Sequence, residues 1–329
     1  MEGRGVINHL VSVSGGKDST ATLLLAREQH GDGVLAAFAD TGNEHPATLD
    51  YVRYLEDATG VPITWLKRDF TDWWARRVDY VRNEWPKKGV PDAAVQRALS
   101  ALAAGPTGVP MLDLCIIKGR FPSRMMQFCT SELKVIPLTE YAMGLIEAGA
   151  SAVWSWQGVR IDESLARRKR HSCTSIYDRW GVYKSFNEVG GGIYNHLPIL
   201  RWTAADVFEA HRLCGIKPNP LYSLGCDRVG CLPCINAGKD EVLNIARRWP
   251  EHIDRIREWE SIVGEATKRG HSAFFPSPGD SETAMERGAI DQVVMWSKTA
   301  RGGKQIDLDR AFGDAPECAS SYGLCEAAA

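Results

Sequence analysis

The first seventy residues alternate between apolar strand candidates and helix candidates, and this alternation constrains the fold more than any other feature. Residues 6–13, 34–41 and 62–69 are predicted strands, and residues 19–29 and 47–59 are predicted helices. Apolar strands separated by helices favour parallel pairing with right-handed crossovers. We therefore predict an α/β fold built on a Rossmann-like, doubly wound parallel sheet.

The rest of the chain interrupts this pattern and then resumes it. Residues 70–128 carry three tryptophans and are predicted to form a helical insertion over the sheet. Large aromatic residues in such a segment more often pack in a core or lid than meet a partner. The pattern resumes with a predicted helix over 138–148, a strand over 152–159 and a strand-like stretch at 196–200.

The cysteine-rich loop at 225–234 is predicted to close the main domain, residues 1–240. A helix is predicted to open at Thr203, ahead of this loop. Residues 241–329 are predicted to form a helical and irregular C-terminal extension.

Composition excludes several function classes. The 39 basic and 41 acidic residues leave a net charge of −2, which gives no global attraction to nucleic acid. No apolar run approaches the ~18 residues that span a bilayer, and the N-terminal stretch lacks the pattern of a signal peptide. We expect a cytoplasmic protein without a membrane segment.

The strongest local signal is Ser14-Gly15-Gly16-Lys17-Asp18-Ser19, which follows a predicted strand and opens a predicted helix. Glycines let backbone amides approach an anion closely, and the helix N-terminus adds partial positive charge. Lys17 can place a point charge on phosphate, and Asp18 can hold Mg²⁺. The alternative is a plain glycine-rich turn with Ser19 as the helix N-cap.

This segment resembles the PP-loop of the ATP pyrophosphatase superfamily, also described as adenine nucleotide alpha hydrolase-like. The GxxxxGK[ST] pattern of a Walker A loop is absent. The resemblance implies ATP bound at the carboxyl ends of the strands and cleaved between its α and β phosphates, with Ser14, Gly15, Gly16 and Ser19 around the phosphates.

Further segments resemble one branch of that superfamily, the phosphoadenosine phosphosulfate (PAPS) reductase family. They are Asp40-Thr41-Gly42-Asn43-Glu44-His45-Pro46, Gly158-Val159-Arg160-Ile161-Asp162-Glu163-Ser164, Pro198-Ile199-Leu200-Arg201-Trp202 and Asn219-Pro220-Leu221-Tyr222, in the family's order. The resemblance implies that Asp40 and Thr41 contact the nucleoside. It also implies that Arg160 faces phosphate or sulfate and that Glu163 orients Arg160.

A basic run, Arg167-Arg168-Lys169-Arg170-His171, directly follows this anion-binding segment. It is either a solvated face or a contact for a polyanion such as a nucleic-acid backbone.

Three of the nine cysteines lie at Cys226, Cys231 and Cys234, with the C-x4-C-x2-C spacing of plant-type iron–sulfur ligands. The segment around Cys129 resembles the CCxxRKVxPL stretch of iron–sulfur sulfonucleotide reductases, with Thr130 in place of the second cysteine. The resemblance makes Cys129 the candidate fourth ligand of a [4Fe–4S] cluster.

Alternatives to the iron–sulfur assignment remain open. Four thiolates also suit Zn²⁺, and Cys231 with Cys234 could form a redox-active dithiol. Cys173 and Cys214 are reserve candidates for the fourth ligand, although packing is the more common role for single cysteines.

Two departures from the reductase pattern decide between functions. The SGGKDS loop is intact, whereas sulfonucleotide reductases have degenerate loops. The tail carries Cys318 and Cys325 without the reductases' ECGLH-like ending. The combination of an intact loop with iron–sulfur-type cysteines resembles the catalytic core of DndC-type sulfurtransferases. Cys318 and Cys325 are candidate sulfur-relay thiols or incidental.

The leading hypothesis is therefore an ATP-dependent enzyme that activates an acceptor for sulfur transfer. Its partners are a nucleotide, a nucleic-acid acceptor (DNA or tRNA) and a sulfur donor such as a cysteine desulfurase. The alternatives are a PAPS or adenosine phosphosulfate reductase that makes sulfite, and a non-catalytic nucleotide-binding adaptor.

Overall fold

The computed structural model describes residues 6–171, 182–186, 192–275, 287–300 and 305–325. The strands are β1 (Ile7–Val13), β2 (Val34–Asp40), β3 (Ile63–Lys67), β4 (Ala152–Trp156), β5 (Val182–Phe186) and β6 (Gly192–His196). The helices before β4 are α1 (Lys17–His30), α2 (Pro46–Thr59), α3 (Thr71–Glu84), α4 (Asp92–Leu102), α5 (Pro110–Lys118), the short α6 (Phe128–Thr130) and α7 (Ile136–Glu147). A π-helical turn, Ser131–Val135, joins α6 to α7.

The helices after β4 are α8 (Leu165–His171), α9 (Ala204–Leu213), α10 (Lys239–Arg248), α11 (Pro250–Glu265), α12 (Ile290–Ser297) and α13 (Leu308–Phe312). Thr203 is the N-cap of α9 and forms a capping box with Asp206, as a helix opening at Thr203 requires. No helix in the described part of the chain is both long and apolar enough to cross a membrane.

The described strands form one sheet in the order β3-β2-β1-β4-β6-β5. The first five strands of this order are parallel, and β5 pairs antiparallel with β6 at the edge. The predicted doubly wound parallel sheet is confirmed. The prediction of a strand-like stretch at 196–200 is wrong, because β6 ends at His196 and a turn follows. Pro198 in that turn has no N–H to offer a strand partner.

Helices cover both faces of the sheet. On one face α1 and α2 bury Leu23 and Val52 against the strands, and on the other α7 buries Ala142 against Leu10 and Val153. The central strands are therefore apolar on both faces, as expected of a parallel sheet.

The predicted insertion is helical: it contains α3, α4 and α5. Trp74 and Trp85 are buried there, and the indole of Trp74 donates to the Leu102 carbonyl at 3.0 Å. The same apolar cluster contains Ile256 and Trp259 of α11. These tryptophans pack, and the insertion shares its core with helices of the C-terminal extension.

Candidate functional site

The segment Ser14–Ser19, called the phosphate loop below, connects β1 to α1 at the carboxyl end of the sheet. Gly15 has φ of +71°, and a Cβ there would lie 2.7 Å from Cγ2 of Thr48, so the turn requires glycine. Gly16, rather than Ser19, is the N-cap of α1. The Ser19 hydroxyl instead closes the loop: it donates to the Gly16 carbonyl at 2.9 Å and accepts from the Ser14 amide at 3.1 Å.

Charged side chains of opposite sign meet at the start of α1. Asp18 forms an ion pair with Arg160 and lies 3.6 Å from the Lys17 ammonium. Lys17 and Arg160 are 5% and 3% exposed. The carboxylate expected to hold Mg²⁺ thus lies between the two cations expected to face phosphate, which balances their buried charge.

The prediction that Glu163 orients Arg160 is wrong. Glu163 pairs with Arg167, whereas Arg160 pairs with Asp18, lies 3.5 Å from Asp162 and donates to the Trp202 carbonyl at 3.3 Å. The 3-10 turn Ile161–Glu163 lies between Arg160 and α8. Because Glu163 and Arg167 are four residues apart at the start of α8, they make a local pair.

Gly158 brings β4 directly against the phosphate loop. A Cβ on Gly158 would lie 2.7 Å from the carbonyl carbon of Asp18 and 2.8 Å from the Ser19 amide nitrogen. The backbone after β4 therefore touches the first turn of α1, which only glycine allows.

A cleft of about 660 Å³ extends from the loop along the carboxyl ends of the strands. Its polar lining includes Ser12, Ser155, Gln157 and Asn195, and Leu138 and Ala142 of α7 form part of an apolar wall. The Gln157 amide donates to Asn195 Oδ1 at 2.9 Å. An apolar wall, polar strand ends and an anion-binding loop together suit a nucleotide.

Asp40 and Thr41 do not line this cleft. Asp40 accepts from the Gly42 amide at 2.8 Å and lines a separate cavity of about 670 Å³ with His45 and Trp249. Thr41 is buried and donates to Glu44 at 2.6 Å. The structure thus separates the two expected nucleoside contacts from the phosphate loop.

Three of the predicted metal-ligating cysteines lie around one lysine. The pKa of Lys134 is raised, mainly by Cys231, with smaller contributions from Cys234 and Cys129. Burial raises the pKa of Cys231 to about 12 and also raises that of Cys129. Lys134 also lines the cleft, so it connects the candidate nucleotide site with these thiols.

Cys226 has different charged neighbours from the other three cysteines. Its thiol is buried, and its pKa is raised to about 12 by burial and then by Glu241, against an opposing effect of Arg248. Among the described residues, no group of three or more Cys, His, Asp or Glu side chains is arranged to hold a metal ion. In this arrangement the four cysteines do not fit a four-thiolate site.

The remaining cysteines have different surroundings. Cys318 and Cys325 form a disulfide, so they are not the free relay thiols that we considered. Cys115 is buried beside Cys129, Cys214 is exposed, and Cys173 lies outside the described residues. The disulfide-closed segment reaches the phosphate loop, because the Lys17 ammonium lies 4.8 Å from the centroid of the Tyr322 ring.

The basic run begins at the cleft. Arg167 lines the cleft, and Arg168 lies 3.8 Å from Asp162. Sequence reasoning missed Lys134, Arg228 and Asn195 as cleft residues. Tyr222 could have been found from its place in the Asn219–Tyr222 segment, but Asn195 carries no local signal.

Comparisons with known proteins identify a family and several relatives. A family model described as "Phosphoadenosine phosphosulfate reductase domain" matches residues 8–99 and 116–237. The chain is 41% identical over 340 residues to the "Uncharacterized 37.8 kDa protein in gpa 5'region" of Escherichia phage 186, which covers 97% of this chain and 96% of that protein.

Two further relatives are more distant. Over 154 residues the chain is 25% identical to the "Adenosine 5'-phosphosulfate reductase" of Burkholderia cepacia, covering 47% of this chain and 51% of that protein. The crystal structure of a PAPS reductase from Candida auris in a phosphate complex aligns with a TM-score of 0.36 at 17% identity, over 68% of this chain and 81% of that one.

Proposed function

Since the chain belongs to the phosphoadenosine phosphosulfate reductase domain family, we propose that it is an ATP-dependent enzyme that activates an acceptor for sulfur transfer. One observation carries the proposal. An intact Ser14–Ser19 loop places Lys17 and Asp18 at one end of a nucleotide-sized cleft. Arg160 pairs with Asp18 and lines a neighbouring cavity that also contains Lys17.

The loop and its neighbours have complementary roles in this proposal. The amides of Gly15 and Gly16 and the N-terminus of α1 bind phosphate oxygens, and Lys17 neutralises the negative charge that develops on departing pyrophosphate. Arg160 binds the phosphate that stays with the nucleoside. Asp18 would hold Mg²⁺, and the bound ion would supply further charge neutralisation for the phosphates.

The thiols give weaker support for a metal centre. Cys129, Cys231 and Cys234 lie near Lys134, and with Cys226 they stay the candidate ligands of an iron–sulfur cluster, or of Zn²⁺ as the alternative. Among the described residues, however, no three such side chains are arranged to hold a metal ion, and Cys226 has Glu241 as a charged neighbour. We therefore assign no reaction step to a metal. Metal analysis of the anaerobically purified protein decides between iron with sulfide and zinc.

A second function, reduction of a sulfonucleotide to sulfite, is favoured by the position of the tail. The Cys318–Cys325 segment lies at the phosphate loop through Tyr322. In this reaction an external dithiol would first reduce the Cys318–Cys325 disulfide. The two tail thiols would then supply two electrons to the sulfonucleotide, form the disulfide again and release sulfite and the nucleotide. Partners differ between the two functions: sulfur transfer needs an acceptor, DNA or tRNA in our proposal, and a donor such as a cysteine desulfurase.

The test is pyrophosphate release from Mg·ATP by anaerobically purified protein, with candidate DNA and tRNA acceptors added. Wild type is compared with Lys17→Ala and with Lys87→Ala, a matched control whose exposed lysine pairs with Glu84. We expect release that is lost in Lys17→Ala and kept in Lys87→Ala. Reduction of PAPS to sulfite without any pyrophosphate release, lost on Cys325→Ser, would replace the proposal with the reductase. Nucleotide binding with neither reaction would indicate an adaptor.

A further inference from the structure

Three buried side chains from residues 211–222 bond to the backbone of the phosphate loop. Asn219 Nδ2 donates to the Gly15 carbonyl at 3.0 Å, and His211 Nε2 donates to the Lys17 carbonyl at 3.0 Å. The Tyr222 hydroxyl accepts from the Lys17 amide at 2.9 Å. The side chains are 1–2% exposed, so α9 and the turn after it set the shape of the loop.

Tyr222 differs from the other two because it also lines the cleft. Its hydroxyl oxygen lies 3.4 Å from the position that a Cβ on Gly16 would occupy. A hydroxyl can accept and donate at the same time. In the described part of the chain, Tyr222 accepts from Lys17 but has no acceptor for its own hydrogen.

The hydroxyl keeps this hydrogen at physiological pH. Burial raises the pKa of Tyr222 well above its usual value of 10, although the bond from the Lys17 amide opposes the shift. A buried O–H without an acceptor costs free energy, and an acceptor in the cleft would remove that cost.

We propose that the Tyr222 hydroxyl is a phosphate ligand. It accepts a hydrogen bond from the Lys17 amide and donates its own hydrogen to an oxygen of a phosphate bound at the loop. The ligand class is a nucleotide phosphate or pyrophosphate, so this inference rests on the proposed function. The amide at the N-terminus of α1 polarises the hydroxyl, which strengthens its bond to an anion. Asn219 and His211 do not touch the ligand and are positioning residues.

The aromatic ring of Tyr222 has a separate contact that the test must keep. The Lys17 ammonium lies 5.1 Å from its centroid. Tyr222→Phe retains the ring and removes only the hydroxyl. Tyr51→Phe is a matched control, because Tyr51 is also buried and its hydroxyl donates to the Lys217 carbonyl at 2.8 Å, outside the cleft.

Calorimetry with Mg·ATP, inorganic pyrophosphate and adenosine tests the inference, alongside the melting temperature of each variant. We expect Tyr222→Phe to weaken ATP and pyrophosphate binding about tenfold or more, since a hydrogen bond to a charged group is lost. Adenosine affinity should stay unchanged. Tyr51→Phe should leave the affinity for every ligand unchanged.

The outcomes separate the inference from the proposed function. If Tyr222→Phe binds ATP and pyrophosphate as tightly as wild type, the inference is wrong and the proposed function stands. Equal losses for adenosine would show general loosening and would also overturn it. If wild type binds pyrophosphate but not ATP, the proposed function fails. The pyrophosphate affinity of Tyr222→Phe still tests the role of the Tyr222 hydroxyl. If wild type binds neither, both fail.

Conservative substitutions test the positioning residues. His211→Gln keeps a side-chain N–H for the Lys17 carbonyl, whereas His211→Leu removes it. We expect near-wild-type pyrophosphate affinity in the first and weaker affinity in the second. Equal weakening in both would refute a role through that hydrogen bond.

Discussion

The phosphate loop and the cysteine loop are both glycine-containing connections, but their side chains are arranged in opposite ways. In the phosphate loop, Asp18 lies between Lys17 and Arg160, and buried side chains hold the backbone. In the cysteine loop, Cys231 lies near Lys134 whereas Cys226 faces Glu241.

The difference follows from the chemistry of the groups. Carboxylate, guanidinium and amide groups make strong, directed bonds to one another, so the phosphate loop is organised by the chain itself. A thiol is a weak donor and a weak acceptor, and burial keeps the thiols of Cys226 and Cys231 protonated. Among the described residues, the thiols of the cysteine loop are therefore not arranged to hold a metal ion.

The largest expected effect comes from removing the buried cation of the phosphate region. Arg160→Ala should lower pyrophosphate release about 10²–10³-fold, because it removes a positive charge from the phosphate site. It should also lower the free energy of unfolding by about 3 kcal/mol, since Asp18 loses its closest cation. Arg82→Ala, at an exposed pair with Asp79 in α3, is the control and should change neither. An Arg160→Ala enzyme with a tenth of wild-type activity would contradict the proposed role.

Glu260 extends the comparison, because it is a buried carboxylate to which no cation of the described residues is bonded. It accepts from the amides of Phe274 and Ile290, and burial raises its pKa to about 7, with smaller effects of Asp291 and Arg257. A raised carboxyl pKa stabilises the protonated fold. Its contribution is complete below pH 4.5 and is lost as the pH rises to about 7.

The difference between the pKa of Glu260 in the folded and unfolded protein corresponds to about 3 kcal/mol in the free energy of unfolding. Urea unfolding of wild type and Glu260→Gln at several pH values between 4.5 and 8 measures it. We expect the wild type to lose this stability relative to Glu260→Gln as the pH rises. Parallel pH profiles would show that Glu260 does not titrate in this range.

Much of this fold could be predicted from local sequence, but the bonds that complete the site could not. The strands and helices before β4 follow from apolar periodicity, which is a local signal. Arg160 was found by resemblance, but its partner Asp18 lies 142 residues away. Tyr222 and Lys17 are 205 residues apart. The pairing of β4 with β1 and the packing of α9 against α1 bring such pairs together.

The rates at which the thiols are alkylated provide a third test, and we expect them to differ about a hundredfold. Iodoacetamide at pH 8 should modify Cys214 about 100-fold faster than Cys226 or Cys115 in chelator-treated protein, because thiolate content and access control the rate. Cys214 is exposed, and burial raises the pKa of both other thiols. Mass spectrometry reports each site, and urea should equalise the rates. If Cys226 in the folded protein reacts as fast as Cys214, the cysteine loop is open rather than packed.

The smallest expected effect comes from adding one methyl group to each of two glycines. In Gly158→Ala the new Cβ meets backbone atoms of Asp18 and Ser19, so the phosphate loop must move. Overpacking of this kind costs about 1–3 kcal/mol, and we expect ATP affinity to fall about tenfold. Gly144→Ala is the matched control, because among the described residues no atom outside the backbone of α7 lies within 4 Å of the added Cβ. There we expect unchanged affinity and equal or higher stability. Equal ATP affinity in Gly158→Ala and wild type, with a lower melting temperature in Gly158→Ala, would show that β4 supports the fold without shaping the phosphate loop.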